Sequence, residues 1–263
     1  MNHRTLRTFV GWSGTGVHSG VACSVELRPA AYGEGIVLVV ADHRARVSIE
    51  AVVPKPGATA LRVGPHVVST VEHVLAALVA HGVTDAEIVV EGPELPIVDG
   101  SAEPFWTGLA AAGARDGPEI EPLVITEPLT IEANGGSAHW LPGADCQVHV
   151  HVDFGSIQGR ASAPVPCPAF GAFAHARTFA LAGDVDVMLA AGRGRGATLE
   201  NTVVWGDDGP KNALRMVDEP ILHKLIDAIG DLALVGRPVR GHLIVDRPSH
   251  ALHHAAIRAL LRA

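Results

Sequence analysis

The stretch ILHKLIDAIGDLALVG, residues 221–236, decides how the rest of the chain is interpreted. Its apolar residues recur at helical spacing, which predicts a buried helix over about 219–235. His223, Asp227 and Asp231 follow one another at steps of four, so a helix with about 3.6 residues per turn places them on one narrow stripe. A buried carboxylate must be paired or bound to a metal ion. The stripe therefore predicts a site, although the spacing alone does not identify it.

Length and composition limit the class of protein. The chain has 263 residues, of which 48% are hydrophobic, enough for one large domain or two small ones. No apolar run approaches the ~20 residues that span a bilayer, so no transmembrane segment is expected, and the first residues lack the apolar core of a signal peptide. The formal net charge of −8 argues against a nucleic-acid partner. We therefore expect a cytoplasmic protein that acts as a monomer.

Cysteine and histidine, two residue types that bind metals, lead to different conclusions about a metal site in this chain. The three cysteines are far apart, which argues against a disulfide framework and a thiolate zinc site. The 15 histidines favour a metal site, because neutral imidazole is the commonest metal ligand. His149 and His151 are interpreted as a solvated strand face. His253 and His254 are predicted to face different sides of a helix and to form no pair.

Strands followed by helices occur twice along the chain, which predicts an α+β fold with two layers. The polar segment 115–122 is interpreted as a linker between an N-terminal domain, residues 1–118, and a C-terminal domain, residues 119–263. In the first domain we predict short strands within 5–53, a hairpin at 59–68, a helix at 69–82, a strand at 86–92 and a helix at 103–113. In the second we predict strands near 123–133, 137–141 and 146–153, a loop at 155–169, a helix near 185–191, a strand at 198–205, the helix at 219–235, a strand at 242–248 and a helix at 250–263.

The helix predicted at 69–82, STVEHVLAALVAHG, carries Glu72 and His73 in its first turn. Ser69 and Glu72 have the spacing of a capping box, which is a purely structural role for Glu72. The positive end of the helix dipole disfavours protonation of His73, and a metal ion requires the neutral ring. The residues alone leave the structural and the catalytic interpretation open.

Seven strings together resemble one enzyme family, that of the UDP-3-O-acyl-N-acetylglucosamine deacetylases, the zinc amidases of lipid A biosynthesis. They occur in the family's order and span nearly the whole chain. They are GTGVHSG (14–20), STVEHVLAAL (69–78), ELPIVDGSAEPF (94–105), ARTF (176–179), LENTVV (199–204), HKLIDAIGDL (223–232) and SHAL (249–252).

The resemblance implies two similar α+β domains in a two-layer sandwich, each with a small, mostly antiparallel sheet and with the helices packed between the sheets. It also implies one Zn²⁺ per chain, held by His73, His223 and Asp227. Two imidazoles and one carboxylate leave a coordination position open, as in catalytic zinc sites.

The resemblance further implies roles for four catalytic residues. Glu72 corresponds to the general base, and His250 in SHAL corresponds to the group that protonates the departing amine. Asp231 corresponds to the carboxylate that holds this imidazole. Thr178 in ARTF corresponds to the hydroxyl that stabilises the oxyanion.

Substrate recognition is the part in which this sequence departs from the family. Lys224 corresponds to a lysine near the substrate's phosphates and Phe179 to an aromatic residue beside the sugar. Arg247 replaces a usual lysine and is expected to bind phosphate. Other departures are Gly155-Ser156-Ile157 where the family carries x-His-Pro after Asp-Phe, Ser249 for a glycine, and His253 for an asparagine.

We therefore expect a zinc-dependent N-deacetylase whose small-molecule substrate is a UDP-linked (3-O-acyl-)N-acetylglucosamine. One alternative is a related enzyme that acts on another acetamido sugar or a natural-product intermediate. Another is a binding protein that kept the fold and lost the activity.

Overall fold

The computed structural model describes residues 1–263 and contains nineteen strands and five α-helices. Ten strands precede residue 120. They are β1 (Asn2–Leu6), β2 (Val10–Thr15), β3 (Ala22–Pro29), β4 (Ile36–Val40), β5 (His43–Arg46), β6 (Val52–Val53), β7 (Ala60–Val63), β8 (His66–Ser69), β9 (Ala86–Glu91) and β10 (Ala114–Glu119). The helices of this part are α1 (Glu72–Ala80) and α2 (Glu103–Ala112).

The remaining nine strands and three helices follow residue 120. The strands are β11 (Leu123–Val124), β12 (Leu129–Ala133), β13 (Gly136–Leu141), β14 (Cys146–Asp153), β15 (Gln158–Pro164), β16 (Thr178–Leu181), β17 (Thr202–Gly206), β18 (Gly209–Pro210) and β19 (Val239–Asp246). The helices are α3 (Val185–Ala190), α4 (Glu219–Leu232) and α5 (His250–Leu260). Among the five helices there is none whose length and apolar character would suit it to crossing a membrane.

The two largest sheets have the same topology. One has the strand order β2-β3-β9-β4-β5, and the other has the order β12-β13-β19-β14-β15, with β11 alongside β19. Each contains one parallel pair within these orders, β4 with β9 and β14 with β19, and their other neighbours in these orders are antiparallel. Helices α1 and α4 precede the last strand of their sheets, and α2 and α5 follow it. The predicted α+β fold with mostly antiparallel sheets is confirmed, and we call the two repeats the first and second units.

Each unit carries a small sheet inserted between its fourth strand and the helix that precedes its last strand. In the first unit this insert is the sheet β6-β7-β8, and in the second it is β16-β17-β18 together with α3. Equivalent insertion points bring both small sheets to the same end of the helix pair α1 and α4. That end is where the predicted site residues lie.

Helices α1 and α4 pack against each other at the centre of the fold. Val74, Leu75 and Leu78 of α1 and Leu225 and Ile229 of α4 are almost completely buried in one hydrophobic core. The contact is close because α4 has a glycine, Gly230, where it meets the first turn of α1. Burial of large aliphatic side chains contributes about 1.5–3 kcal/mol each, so this core fixes the relative position of the two helices.

Two sequence predictions are wrong at the level of secondary structure. The segment interpreted as a linker at 115–122 contains most of β10, which pairs antiparallel with β1. The loop predicted at 155–169 contains β15, which pairs with β14 over its whole length. Strand β10 has no apolar alternation, and β15 alternates polar residues only with glycine and alanine, so both depend on backbone hydrogen bonds to a neighbouring strand. The division into domains at residue 118 stays a prediction.

Candidate active site

Two imidazoles and one carboxylate, contributed by α1 and α4, meet at the end of the helix pair. The Nε2 atoms of His73 and His223 are 3.3 Å apart. Asp227 Oδ1 lies 3.4 Å from Nε2 of His223 and 3.9 Å from Nε2 of His73. All three residues are buried, and their ligating atoms lie within 4.8 Å of one another. The predicted stripe on α4 therefore meets the predicted first turn of α1.

The protonation of this cluster suits a metal ion. The His223 Nδ1–H donates to the Ala176 carbonyl oxygen at 3.0 Å, which leaves Nε2 with a free lone pair. Burial lowers the pKa of His73 to about 3 and also lowers the pKa of His223, so both rings are neutral at pH 7. Burial acts to raise the pKa of Asp227, but Lys224 and the surrounding imidazoles outweigh it and keep the group ionised. Asp227 Oδ1 is buried without a hydrogen-bond partner, a costly state that a bound cation would relieve.

Glu72 lies beside this cluster and does not form the predicted capping box. Helix α1 begins after Val71 without a side-chain cap, and the Ser69 hydroxyl instead accepts a hydrogen bond from Lys55 Nζ at 2.7 Å. Glu72 Oε2 accepts the backbone N–H of Thr59 at 3.1 Å. Burial raises the pKa of Glu72 to about 7, and the charge of Asp227 adds to this effect. A carboxylate with this pKa can take up and release a proton near neutrality.

His250 and Asp231 form a buried pair opposite Glu72. The His250 Nδ1–H donates to Asp231 Oδ2 at 2.7 Å, and its Nε2 lies 3.6 Å from Glu72 Oε1. Burial acts to lower the pKa of His250, but the charges of Asp231, Glu72 and Asp227 outweigh it and raise the pKa to about 9. The ring therefore carries a proton at pH 7.

Two further histidines of α5 lie around Asp231, and each has a different hydrogen-bond partner. His253 Nδ1 lies 2.8 Å from Asp231 Oδ2, and His254 Nε2 lies 2.9 Å from the hydroxyl of Thr59. That hydroxyl in turn donates to Asp231 Oδ1 at 2.5 Å. Consecutive helical residues differ by about 100° in direction. Both rings reach the surroundings of Asp231 because the first turns of α5 pack on α4. The chain at Thr59 encloses Asp231 from the other side.

A cavity of about 600 Å³ opens in front of these groups, and we call it the active-site cavity. Its lining includes Thr178, Phe179 and Lys224, the imidazoles of His73, His223 and His250, and the carboxylates of Glu72 and Asp227. Lys224 Nζ lies 2.7 Å from Asp227 Oδ2 and 5.5 Å from the centre of the Phe179 ring. Thr178 begins β16, which places its side chain on the cavity wall.

The cavity is apolar on one side and basic on another. The apolar wall comes from the insert of the second unit and consists of Leu181, Val185, Met188, Leu189 and Leu199. Lys55 and Arg193 supply positive charges elsewhere in the lining, which also includes the buried imidazole of His18. The cavity can therefore take a molecule with a hydrocarbon part and an anionic part.

One predicted residue does not join the others. Arg247 is exposed, has a left-handed backbone with φ of 52°, and lies in a separate recess beside the β12–β13 turn. Asp231 does not line the cavity either, because it stands behind His250. The remaining eight candidates all line the active-site cavity.

The sequence interpretation missed four residues of the site. Thr59 bonds to both Asp231 and Glu72, while Lys55, His18 and Arg193 line the cavity. His18 belongs to the string GTGVHSG, which carried the resemblance without a role for any residue. Lys55, Thr59 and Arg193 lie in connecting segments, where no periodicity marks them.

Comparison with known proteins agrees with this geometry. The family model described as UDP-3-O-acyl N-acetylglycosamine deacetylase matches residues 3–262. Among similar curated proteins, the UDP-3-O-acyl-N-acetylglucosamine deacetylase of Geobacter sp. (strain M21) is 36% identical over 98% of this chain and 88% of its own. The proteins of the same name from Myxococcus xanthus (strain DK1622) and Thermosynechococcus vestitus are each 37% identical, over 99% and 98% of this chain and over 86% and 93% of their own.

Proposed function

Because the chain belongs to the UDP-3-O-acyl-N-acetylglucosamine deacetylase family, we propose that it is a zinc-dependent enzyme that hydrolyses the acetamide of UDP-3-O-acyl-N-acetylglucosamine in lipid A synthesis. The family identifies the chain as an amidohydrolase. The zinc ion, the residue roles and the acylated nucleotide sugar are the proposed parts.

The observation that carries the proposal is the convergence of five groups from three helices. His73, His223 and Asp227 offer two neutral nitrogens and an unpartnered carboxylate oxygen, a donor set that suits zinc. Glu72 and His250 face the same cavity, and at neutral pH Glu72 is partly ionised while His250 is protonated. When bound, zinc supplies Lewis-acid chemistry, which polarises a carbonyl group and makes water more acidic.

Two side chains, Glu72 and His250, each carry out one of the two proton transfers. Amide hydrolysis adds water across the C–N bond, so one proton must leave the water and one must reach the departing amine. Glu72 takes the first proton, since its pKa of about 7 leaves a large ionised fraction. His250 Nε2 holds the second proton and donates it to the amine nitrogen, and Asp231 orients the ring through Nδ1.

The lining of the cavity supports the proposed substrate. Thr178 lines the cavity, and its hydroxyl is the proposed donor to the negatively charged oxygen; Phe179 lines it too and is the proposed flat apolar face for a sugar ring. The wall formed by Leu181 and Met188 suits an acyl chain, and Arg193 and Lys55 suit phosphate groups. Lys224 is paired with Asp227, so it can reach a phosphate only if that pair opens.

The departures from the family strings keep a second substrate class open. Arg247 lies outside the active-site cavity, and Ile157, at the position of a usual proline, is buried. These positions favour testing another acetamido sugar beside the acylated nucleotide. The catalytic proposal is the same for both.

The deciding experiment joins metal content to turnover. The purified protein should contain one zinc per chain and release acetate from UDP-3-O-acyl-N-acetylglucosamine, and it should act far more slowly on UDP-N-acetylglucosamine without the acyl chain. Acetate release only from another acetamido sugar would support the second substrate class. No acetate release from any of them, by folded and zinc-loaded protein, would contradict the enzyme proposal.

Matched variants separate the metal from the base. His73→Ala should lose both zinc and activity, whereas His66→Ala, which removes a half-buried imidazole outside the site, should lose neither. Glu72→Gln should keep zinc and lose about 10²–10⁴-fold in turnover. Glu132→Gln is the control for Glu72→Gln, because this carboxylate is exposed and lies outside the active-site cavity.

A further inference from the structure

A second cavity of about 570 Å³ lies at the other end of the helix pair α1 and α4, and we call it the rear cavity. The active-site cavity takes Glu72 and His73 from the start of α1, whereas the rear cavity takes Ala80 and His81 from its end. Both units contribute walls to it. Its volume falls within the range of about 300–1,000 Å³ that small-molecule sites occupy.

The interior of the rear cavity is apolar. Ile36, Val47 and Val83 of the first unit face Leu232 and Val239 of the second, and all five side chains are buried in the core. Trp106 adds a flat wall and is stacked on His81 with 3.7 Å between ring centres. Hydrocarbon placed against these side chains would leave water for an apolar surface.

The carboxylates of the rear cavity already have hydrogen-bond or ion-pair partners within the protein. Asp85 accepts hydrogen bonds from the backbone N–H groups of Gly33 and Gly35 at 2.8 and 2.9 Å, and it pairs with His3 at 2.8 Å. Asp116 pairs with Arg4 at 3.4 Å. No other acidic residue lines the cavity.

Two guanidinium groups at the rim carry charge that no carboxylate compensates. Arg46 is exposed and makes one hydrogen bond, to the Gly236 carbonyl oxygen at 3.3 Å. Arg237 is exposed, follows Gly236 directly and forms no ion pair with the acidic residues of the lining. A local positive charge on a chain with a net charge of −8 attracts anions selectively to this rim.

We propose that the rear cavity binds a small anionic amphiphile, a single carboxylate with an alkyl chain. The alkyl chain fills the apolar interior between the two units. The carboxylate lies at the rim, where Arg46 from the first unit and Arg237 from the second can each offer a charge-assisted hydrogen bond. This inference uses none of the proposed catalytic residues and does not depend on the proposed substrate.

The test is calorimetric titration of the intact protein with decanoate, with acetate and decanol as probes of the charge and the chain alone. The double variant Arg46→Gln/Arg237→Gln should weaken decanoate binding at least tenfold and change decanol binding little. Arg62→Gln is the matched control, because it removes an exposed guanidinium that lines neither cavity. Both substitutions are on the surface, and thermal unfolding checks that the variants are folded.

Decanoate could instead enter the active-site cavity along its apolar wall. All titrations are therefore repeated with Met188→Trp, which narrows that cavity from a half-exposed position on α3. Decanoate binding that survives Met188→Trp and is lost in the arginine double variant supports the proposal. Binding that is lost in Met188→Trp, binding that ignores the arginines, or no binding at all would overturn it.

Discussion

Gly230 of α4 lies so close to Glu72 of α1 that a Cβ atom at position 230 would be 2.1 Å from the Glu72 carbonyl oxygen. The neighbour is backbone at the start of a buried helix, so it cannot move aside without moving Glu72 and His73. Gly230→Ala should therefore cost about 1–3 kcal/mol of stability from overpacking. It should also reduce turnover by more than the loss of folded protein explains. Urea unfolding and an assay at saturating zinc measure both effects, and Gly183→Ala, where a Cβ meets nothing within 4 Å, is the control.

The dependence of activity on pH should be bell-shaped, because Glu72 must be ionised and His250 protonated. The pKa of Glu72 of about 7 and that of His250 of about 9 set the two limbs, and a bound cation shifts both downward. Asp231→Asn removes the charge that raises the pKa of His250, so the alkaline limb should move to lower pH. An alkaline limb unmoved in Asp231→Asn would show that another group controls it.

Glu94 should stabilise the fold in a pH-dependent way. This buried carboxylate accepts hydrogen bonds from Thr70 Oγ1 at 2.7 Å and from the backbone N–H groups of Ser19 at 2.8 Å and His18 at 3.1 Å. Burial acts to raise the pKa of Glu94, but these donors outweigh it and lower the pKa. A lowered pKa means that the contribution is present above the unfolded-state pKa and is lost as pH falls through the folded-state pKa.

Glu94→Gln should accordingly lower the free energy of unfolding by about 1–3 kcal/mol at neutral pH and by less at about pH 3. Since Val17 and His18 line the active-site cavity, the substitution should also raise KM. Glu121→Gln, which removes the charge of an exposed carboxylate, should change neither the free energy of unfolding nor KM. An equal loss of stability at both pH values would assign Glu94 a packing role alone.

His253 offers a test of a position where the sequence departs from the family. Its Nδ1 bonds to Asp231, but its Nε2 is buried without a partner. His253→Asn keeps a donor for Asp231 and removes the unpartnered atom, so stability should be kept or improved. His253→Leu removes the donor and should cost about 1–3 kcal/mol. Urea unfolding of the two variants measures the difference, and a Leu variant as stable as the Asn variant would contradict the inferred hydrogen bond.

The helices could be predicted from the sequence because their signals are local. The apolar period of 221–236 and the glycine at Gly82 mark α4 and the end of α1, and the observed helices differ from the predicted ones by a few residues at their ends. Strands β10 and β15 could not be predicted. ARDGPE has no alternation, QGRASAP alternates polar residues only with glycine and alanine, and neither contains a β-branched residue. Their pairing therefore depends on β1 and β14.

Some residues of the candidate active site could likewise be predicted from local signals in the sequence, and others could not. His223, Asp227 and Asp231 share a helix, so their stripe is visible in the sequence, and the family strings supplied Glu72 and His73. Thr59 and His254 reach Asp231 only because α5 and the chain before β7 converge on α4. Such convergence between distant segments leaves no pattern at any fixed spacing.

The duplicated topology has a consequence for how the protein fails when it is heated. Equivalent helices of the two units supply different halves of the chemistry, with Glu72 and His73 on one side and His223, Asp227 and His250 on the other. A displacement of one large sheet relative to the other, with every strand still folded, is enough to separate these catalytic groups. Catalytic inactivation should therefore precede the loss of the circular-dichroism signal, and reversibly so on cooling.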